Sequence, residues 1–286
     1  MNNLTFADAE SDFESAKYLI FGAPFDWTTS YRPGTRFGPD AIREASYNFE
    51  PFNYEFRVSL SDIPVFDSGN LDEWLVMEDI LDEIYNTTRN AHLNGKFPIM
   101  LGGEHSMSPG AVKAFEDEKI AVLIIDAHLD FRESYLGSRN SHACAHRRIA
   151  EIVGVENVIS LGVRSISDEE KMEEANFIDS FEIKREGIEN SLKKALKILN
   201  NQEKIYMSLD IDGLDPIFAP GTGTPEPFGL TDMDVKYVID TLAPRMVAFD
   251  LVEVSPPYDH GQTANLAARL VREVIAATWV AKNQKA

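Results

Sequence analysis

Ala121-Val122-Leu123-Ile124-Ile125-Asp126-Ala127-His128-Leu129-Asp130 is an unbroken apolar run that ends in three metal-ligating side chains. A continuous, β-branched run of this length reads as a strand buried on both faces, the signature of a parallel sheet covered by helices. The same pattern returns at Ile205-Tyr206-Met207-Ser208-Leu209-Asp210-Ile211-Asp212, and Phe97–Leu101 leads into Gly102-Gly103-Glu104-His105-Ser106. The ligand candidates therefore stand at strand C-termini, where open α/β sheets bind their ligands. Together they supply two histidines and four aspartates, more negative charge than a protein buries without cations.

Working outward, strand and helix signals alternate along the chain. Strands are expected at Tyr18–Phe21, Ile63–Phe66, Phe97–Leu101, Ile120–Ile125, Val158–Gly162, Ile205–Leu209 and Met246–Val254, with a weaker one at Phe177–Ile178 or Phe181–Ile183. Helices are expected at Pro39–Tyr47, Trp74–Leu93, Pro109–Phe115, Ala143–Val153, Ile188–Leu199, Met233–Leu242 and Thr263–Ala281. Alternation of this kind gives βαβ units, hence an α/β fold: a three-layer α/β/α sandwich with a mostly parallel sheet of about eight strands. No repeat, low-complexity tract or linker interrupts it, so residues 1–286 read as a single domain. Two polar loops flank the acidic clusters, Phe131–Ser141 and the Gly/Pro-rich Asp212–Leu230, and irregular segments that long are usually functional.

Composition narrows the function. Apolar residues make up 44% of the 286, and 27 basic residues face 47 acidic ones, a net charge of −20. An acidic balance argues against nucleic acid, which needs a basic footprint. It would favour small cationic substrates by steering, though on composition alone a surface acidity that only keeps the protein soluble is the more ordinary reading. No apolar stretch reaches the ~18 residues of a membrane span. Met1-Asn2-Asn3-Leu4 lacks the basic and apolar regions of a signal peptide. The lone Cys144 allows no internal disulfide, which suits a reducing cytoplasm.

Oxygen-rich ligand sets with one imidazole per ion fit a hard or borderline divalent metal, Mn²⁺ first, with Co²⁺, Ni²⁺ or Zn²⁺ as substitutes. One cysteine cannot build a thiolate zinc site. Two ions about 3.5–4 Å apart activate a shared water near neutral pH.

Leu101–Ser108, Asp126–Asp130 and Ser208–Asp212, continuing through Pro216, Pro220-Gly221 and Gly229, resemble the three signatures of the ureohydrolases, the family of arginase and agmatinase. The resemblance extends from Gly22–Asp26 and Arg32–Pro39 to Glu253-Val254-Ser255-Pro256, and the Arg-Pro-Gly segment and Thr224–Pro227 are most similar to agmatinases. It implies the arginase-like fold and two Mn²⁺ per subunit. One ion is implied at His105, Asp126, Asp130 and Asp210, the other at His128, Asp126, Asp210 and Asp212, with Asp126 and Asp210 bridging. It further implies a cytoplasmic homo-oligomer, trimer or hexamer, that cleaves the guanidinium of agmatine to urea and putrescine, a step of polyamine synthesis.

Two roles remain to be filled. The resemblance gives guanidinium orientation to Glu253 and proton delivery to His142, with Asp130 also counted in the catalytic set. His146, one helical turn on, is the rival to His142. Glu104 reads as a supporting residue and Cys144 as a packed thiol. For the substrate tail, Arg132 suits a carboxylate and Glu133 an amine. The alternatives are another guanidino hydrolase (arginase, guanidinobutyrase or aminopropylagmatine ureohydrolase), a metal-dependent deacetylase, or a non-catalytic binding relative.

Overall fold

Strict alternation along each buried run splits its side chains between two cores. In a computed structural model describing residues 4–72, 76–200 and 202–283, Ala121, Leu123 and Ile125 enter one core, while Val122 and Ile124 enter the other. Ile205, Met207 and Leu209 share the first core, and Tyr206 joins the second. This two-faced burial is what a parallel sheet between helical layers requires.

The strands are β1 (Tyr18–Ala23), β2 (Phe52–Asn53), β3 (Val58–Ser59), β4 (Val65–Asn70), β5 (Phe97–Gly102), β6 (Ala121–Ile125), β7 (Val158–Val163), β8 (Phe177–Asp179), β9 (Ile205–Asp210) and β10 (Met246–Val252). Eight form one sheet in the order β4-β1-β5-β10-β9-β6-β7-β8, and every neighbouring pair is parallel. The antiparallel hairpin β2–β3 stands apart. The helices are α1 (Gly38–Ser46), α2 (Met77–Leu93), α3 (Ser108–Lys113), α4 (Ala145–Val153), α5 (Ser180–Glu186), α6 (Ile188–Ile198), α7 (Asp232–Leu242) and α8 (Gln262–Asn283). Helices α1, α6, α7 and α8 line one face, and α2, α3 and α4 the other. This is the expected three-layer sandwich.

Local chemistry explains the boundaries that shift. Phe181–Ile183, one option for the weak strand, lies in α5: Asp179 caps the helix by accepting Glu182 N–H at 2.7 Å, and Gly187 ends it at φ 82°. The eighth strand is Phe177–Asp179. β10 stops at Val252 because Glu253 takes φ 65°. The expected start of the second helix at Trp74 and Leu75, like Met1–Asn3, lies outside the described residues. The hairpin β2–β3 had no alternating run to announce it.

Candidate metal centre and active site

Strand order assembles the site. β5, β10, β9 and β6 are consecutive in the sheet. His105 follows β5, Glu253 follows β10, Asp210 ends β9 with Asp212 in the turn after it, and Asp126, His128 and Asp130 follow β6. Segments far apart in sequence thus meet at one edge. Gly103 permits the close fit there, since a Cβ would stand 2.0 Å from the Phe25 carbonyl oxygen. Asp130 (φ 51°) and Glu253 (φ 65°) both hold the left-handed conformation that disfavours side chains.

Asp126 is shared by two His/Asp groups: His105, Asp126 and Asp210, and Asp126, His128 and Asp212, with ligating atoms within 4.8 Å of one another in each. His105 Nδ1 lies 3.0 Å from Asp126, 3.3 Å from Asp210 and 3.5 Å from Asp130. His128 Nδ1 lies 3.0 Å from Asp212 and 3.6 Å from Asp126. Despite those neighbours, His105 Nδ1 is buried and makes no hydrogen bond. The nitrogen and the carboxylates converge on common space rather than on each other, the arrangement of a cation's ligand cage. The residues therefore fit a divalent ion.

The remaining contacts hold these groups in place. His105 Nε2 lies 3.2 Å from Ser208 Oγ, which donates to Asp250 at 2.7 Å, and Tyr206 O–H donates to the other Asp250 oxygen at 2.6 Å. That chain assigns the imidazole proton to Nε2 and leaves the Nδ1 lone pair free to ligate a cation. Asp126 accepts His128 N–H at 2.6 Å, Asp210 accepts Asp212 N–H at 2.8 Å, and Asp212 accepts Ala127 N–H at 3.1 Å. Burial, reinforced by Asp212 and Asp126, raises the Asp210 pKa well above the carboxylate range, and burial beside Asp126 raises Asp130 to about 7. Without positive charge, so many carboxylates cannot all ionise there.

A pocket of about 130 Å³ lies over the cluster, lined by His128, Asp130, Asp210, Asp212, His142 and Glu253 among others. Glu253 is buried and accepts His105 N–H at 2.8 Å. His142 lies in the pocket wall, whereas His146 is buried in the core, where Nδ1 is 2.9 Å from Ser160 Oγ and its ring meets Phe131 edge-on. Cys144 is buried, and burial pushes its thiol up to about 11, as befits a packed side chain.

His142 is held from behind. Thr28 Oγ1 accepts its backbone N–H at 3.0 Å and lies 3.0 Å from its Nδ1. The Thr28 hydroxyl donates to Glu104 at 2.6 Å, and Glu104 also accepts Thr28 N–H at 2.9 Å and Ser106 O–H at 2.5 Å. With its own proton committed to Glu104, Thr28 accepts from Nδ1–H and leaves Nε2 with a lone pair. Burial, then the nearby His128 and His105, lowers the His142 pKa to about 4.

Around the mouth the structure corrects one expectation. Glu133 is not available to a substrate amine: it pairs with Arg147 at 2.9 Å and Arg139 at 3.3 Å, which ties its loop to α4. Arg132 does line the pocket, its guanidinium over the Tyr135 ring at 4.6 Å and 3.5 Å from Glu169. Beside Arg132 the lining carboxylate outside the metal cluster and Glu253 is instead Glu170, which accepts Phe131 and Ser167 N–H groups, each at 2.7 Å. Arg164 gathers carbonyls of Asp212, Gly213, Leu214 and Glu226, and so pins the long Gly/Pro loop beside the cluster. Sequence reasoning missed Thr28, Glu170 and Arg164. Thr28 alone had a signal, its place between the Gly22–Asp26 and Arg32–Pro39 segments.

A shared aspartate between two His/Asp groups, at the C-terminal edge of a parallel sheet, is the arrangement of a metal-dependent hydrolase site. The chain belongs to the Arginase family, whose sequence profile matches residues 16–277. It is 37% identical to the agmatinase of Bacillus subtilis, covering 94% of each chain, and 38% identical to that of Bacillus anthracis, covering 96% of each. The solved agmatine ureohydrolase of Thermoplasma volcanium superposes with a TM-score of 0.94 at 39% identity, over 100% of this chain and 98% of the other.

Proposed function

We propose that this protein is an agmatinase that hydrolyses agmatine to putrescine and urea. The observation that carries the reading is Asp126, shared between the two His/Asp groups directly beneath a pocket that also presents Glu253 and His142. Similarity to named agmatinases over nearly the whole chain supports the substrate.

Two manganese ions per subunit are the metals this reading assigns. His105, Asp126, Asp130 and Asp210 would hold one, and His128, Asp126, Asp210 and Asp212 the other. A bound divalent pair supplies the Lewis acidity that makes water nucleophilic at neutral pH. Glu253 uses the oxygen not engaged by His105 N–H to accept from the guanidinium and fix its plane. The arriving cation offsets the burial that otherwise raises the Glu253 pKa well above its usual range. Water adds to the guanidinium carbon, and the bond from that carbon to the alkyl nitrogen breaks. His142, neutral at rest, takes up a proton at Nε2 and passes it to the departing amine. Glu170 supports the tail preference: the lone pairs left by its two backbone hydrogen bonds can accept from a distal ammonium, while Arg132 would have to leave Glu169 to answer a carboxylate.

The same proposal covers the setting: residues 1–286 as one catalytic unit, a homo-oligomer (trimer or hexamer) acting in the cytoplasm. Among the described residues no helix is long and apolar enough to cross a membrane. Urea release from a panel of guanidino compounds, with metal content per chain, tests the reading. Agmatine is expected to lead the panel with two ions per chain. Full activity at one ion, or amide hydrolysis without urea, overturns it.

A further inference from the structure

The opposite edge of the sheet carries a pattern the catalytic site does not use. Lys17, Lys96, Arg245 and Lys204 immediately precede β1, β5, β10 and β9, four consecutive strands of the sheet. The strands' N-terminal ends are therefore basic, while their C-terminal ends carry the acidic cluster. In a chain of net charge −20, such a concentration of cations is a local feature against the background.

The basic edge encloses a cavity of about 380 Å³, lined by Lys17, Lys96, Lys204 and Lys282 and walled by Phe97 and Trp279. Small-molecule sites span about 300–1,000 Å³. Among the described residues its lining includes no carboxylate. Glu118, just outside, pairs with both Lys204 and His92 and offsets one charge. Lys17, Lys96 and Lys282 have no carboxylate within ion-pair distance among the described residues. Lys96 is the telling member: it is only 6% exposed, with its ammonium donating to the Ala16 carbonyl at 3.0 Å and lying over the Phe13 ring at 4.4 Å. Lys282, on the exposed last turn of α8, places its ammonium over the Phe97 ring at 4.6 Å. Asp12 is near enough to feel the Lys96 charge without pairing with it, and cations that lack a direct carboxylate partner gain most from a ligand that brings its own charge.

We propose that this cavity is a second binding site, separate from the catalytic pocket, for a small dianion carrying a planar ring: a phosphomonoester of the nucleotide type. The phosphate meets Lys17, Lys96 and Lys282. The ring lies against the partly exposed Trp279 indole, where stacking adds to charge pairing.

Isothermal titration of the metal-loaded protein with AMP, adenosine and inorganic phosphate tests this, independently of the catalytic reading. AMP is expected to bind one per chain with Kd of about 0.1 mM or tighter. Phosphate should bind at least about tenfold more weakly and adenosine not measurably. Raising the salt should weaken AMP. Lys17→Glu with Lys282→Glu, both exposed positions outside the catalytic machinery, should weaken AMP at least tenfold while circular dichroism and urea release stay unchanged. Absence of saturable AMP binding, equal affinity in the double variant, adenosine binding as well as AMP, or displacement of AMP by saturating agmatine overturns the site. Phosphate binding as tightly as AMP likewise overturns it.

Discussion

Thr28 Oγ1 stands 3.0 Å from His142 Nδ1 while its own proton goes to Glu104 at 2.6 Å, so a residue of the N-terminal loop fixes which nitrogen of His142 faces the pocket. Thr28→Val keeps the shape and removes the hydroxyl. It is expected to lower kcat about 10- to 100-fold, the scale of a misplaced catalytic group, with KM for agmatine little changed. Thr28→Ser should restore most of the loss. Equal damage from Ser and Val would show that packing, rather than the hydroxyl, is what Thr28 supplies.

The two histidines of the 142–146 segment should separate cleanly. His142→Ala is expected to cost about 10²–10⁴ in turnover, with metal content unchanged. His146 faces Ser160 and Phe131, so His146→Gln should leave turnover far less affected. Reversed effects would exchange their roles.

His146 has a pH signature instead. Burial lowers its folded-state pKa to about 4 against an ordinary 6.5. Between those values the unfolded chain binds more protons, so the contribution is complete above pH 6.5 and is lost as pH falls toward 4. The full loss is about 3 kcal/mol. Denaturant melts of the metal-free protein from pH 7 to 4 should show a flatter slope for His146→Gln than for the parent. Parallel slopes would mean His146 is not held neutral.

Metal retention should depend on the chain behind His105. Chelation is expected to abolish activity and lower Tm, Mn²⁺ restoring both best. Ser208→Ala leaves Nε2–H without its acceptor, and should weaken metal affinity about 10- to 100-fold, read as the free-metal concentration that restores Tm. Unchanged affinity would assign the Asp250–Ser208–His105 contacts to packing alone.

For substrate, agmatine should exceed arginine in kcat/KM by at least ~100-fold, about 2.7 kcal/mol of transition-state discrimination. Glu170→Gln should narrow the gap by raising KM for agmatine and not for arginine. Arg132 is the counterweight, since it can answer a carboxylate. Arginine turned over as well as agmatine would show that it does.

What the sequence displayed were the parts with local causes. Apolar runs such as Ala121–Ile125 announce buried strands, and the spacing of Asp126, His128 and Asp130 after such a run marks candidate ligands, which the structure brings to one cluster. Chain-distant geometry was not on display. That Glu133 turns to Arg147 while Glu170 enters the mouth depends on how two loops meet, and no pattern within either loop encodes it. The hairpin β2–β3 has two-residue strands, too short for any period. Phe181–Ile183 carried strand-forming residues, but the Asp179 cap and the Gly187 stop decided for a helix.

The left-handed backbone at Asp130 and Glu253 bears on how this enzyme can be improved. Glycine or asparagine relieves such a conformation, so a search for thermostable variants scored on folding alone will favour replacing both residues. Each replacement would remove a carboxylate from the pocket. Heat-resistance screens should therefore hold residues 130 and 253 fixed and seek gains elsewhere, because here a tougher protein and a working one are selected in opposite directions.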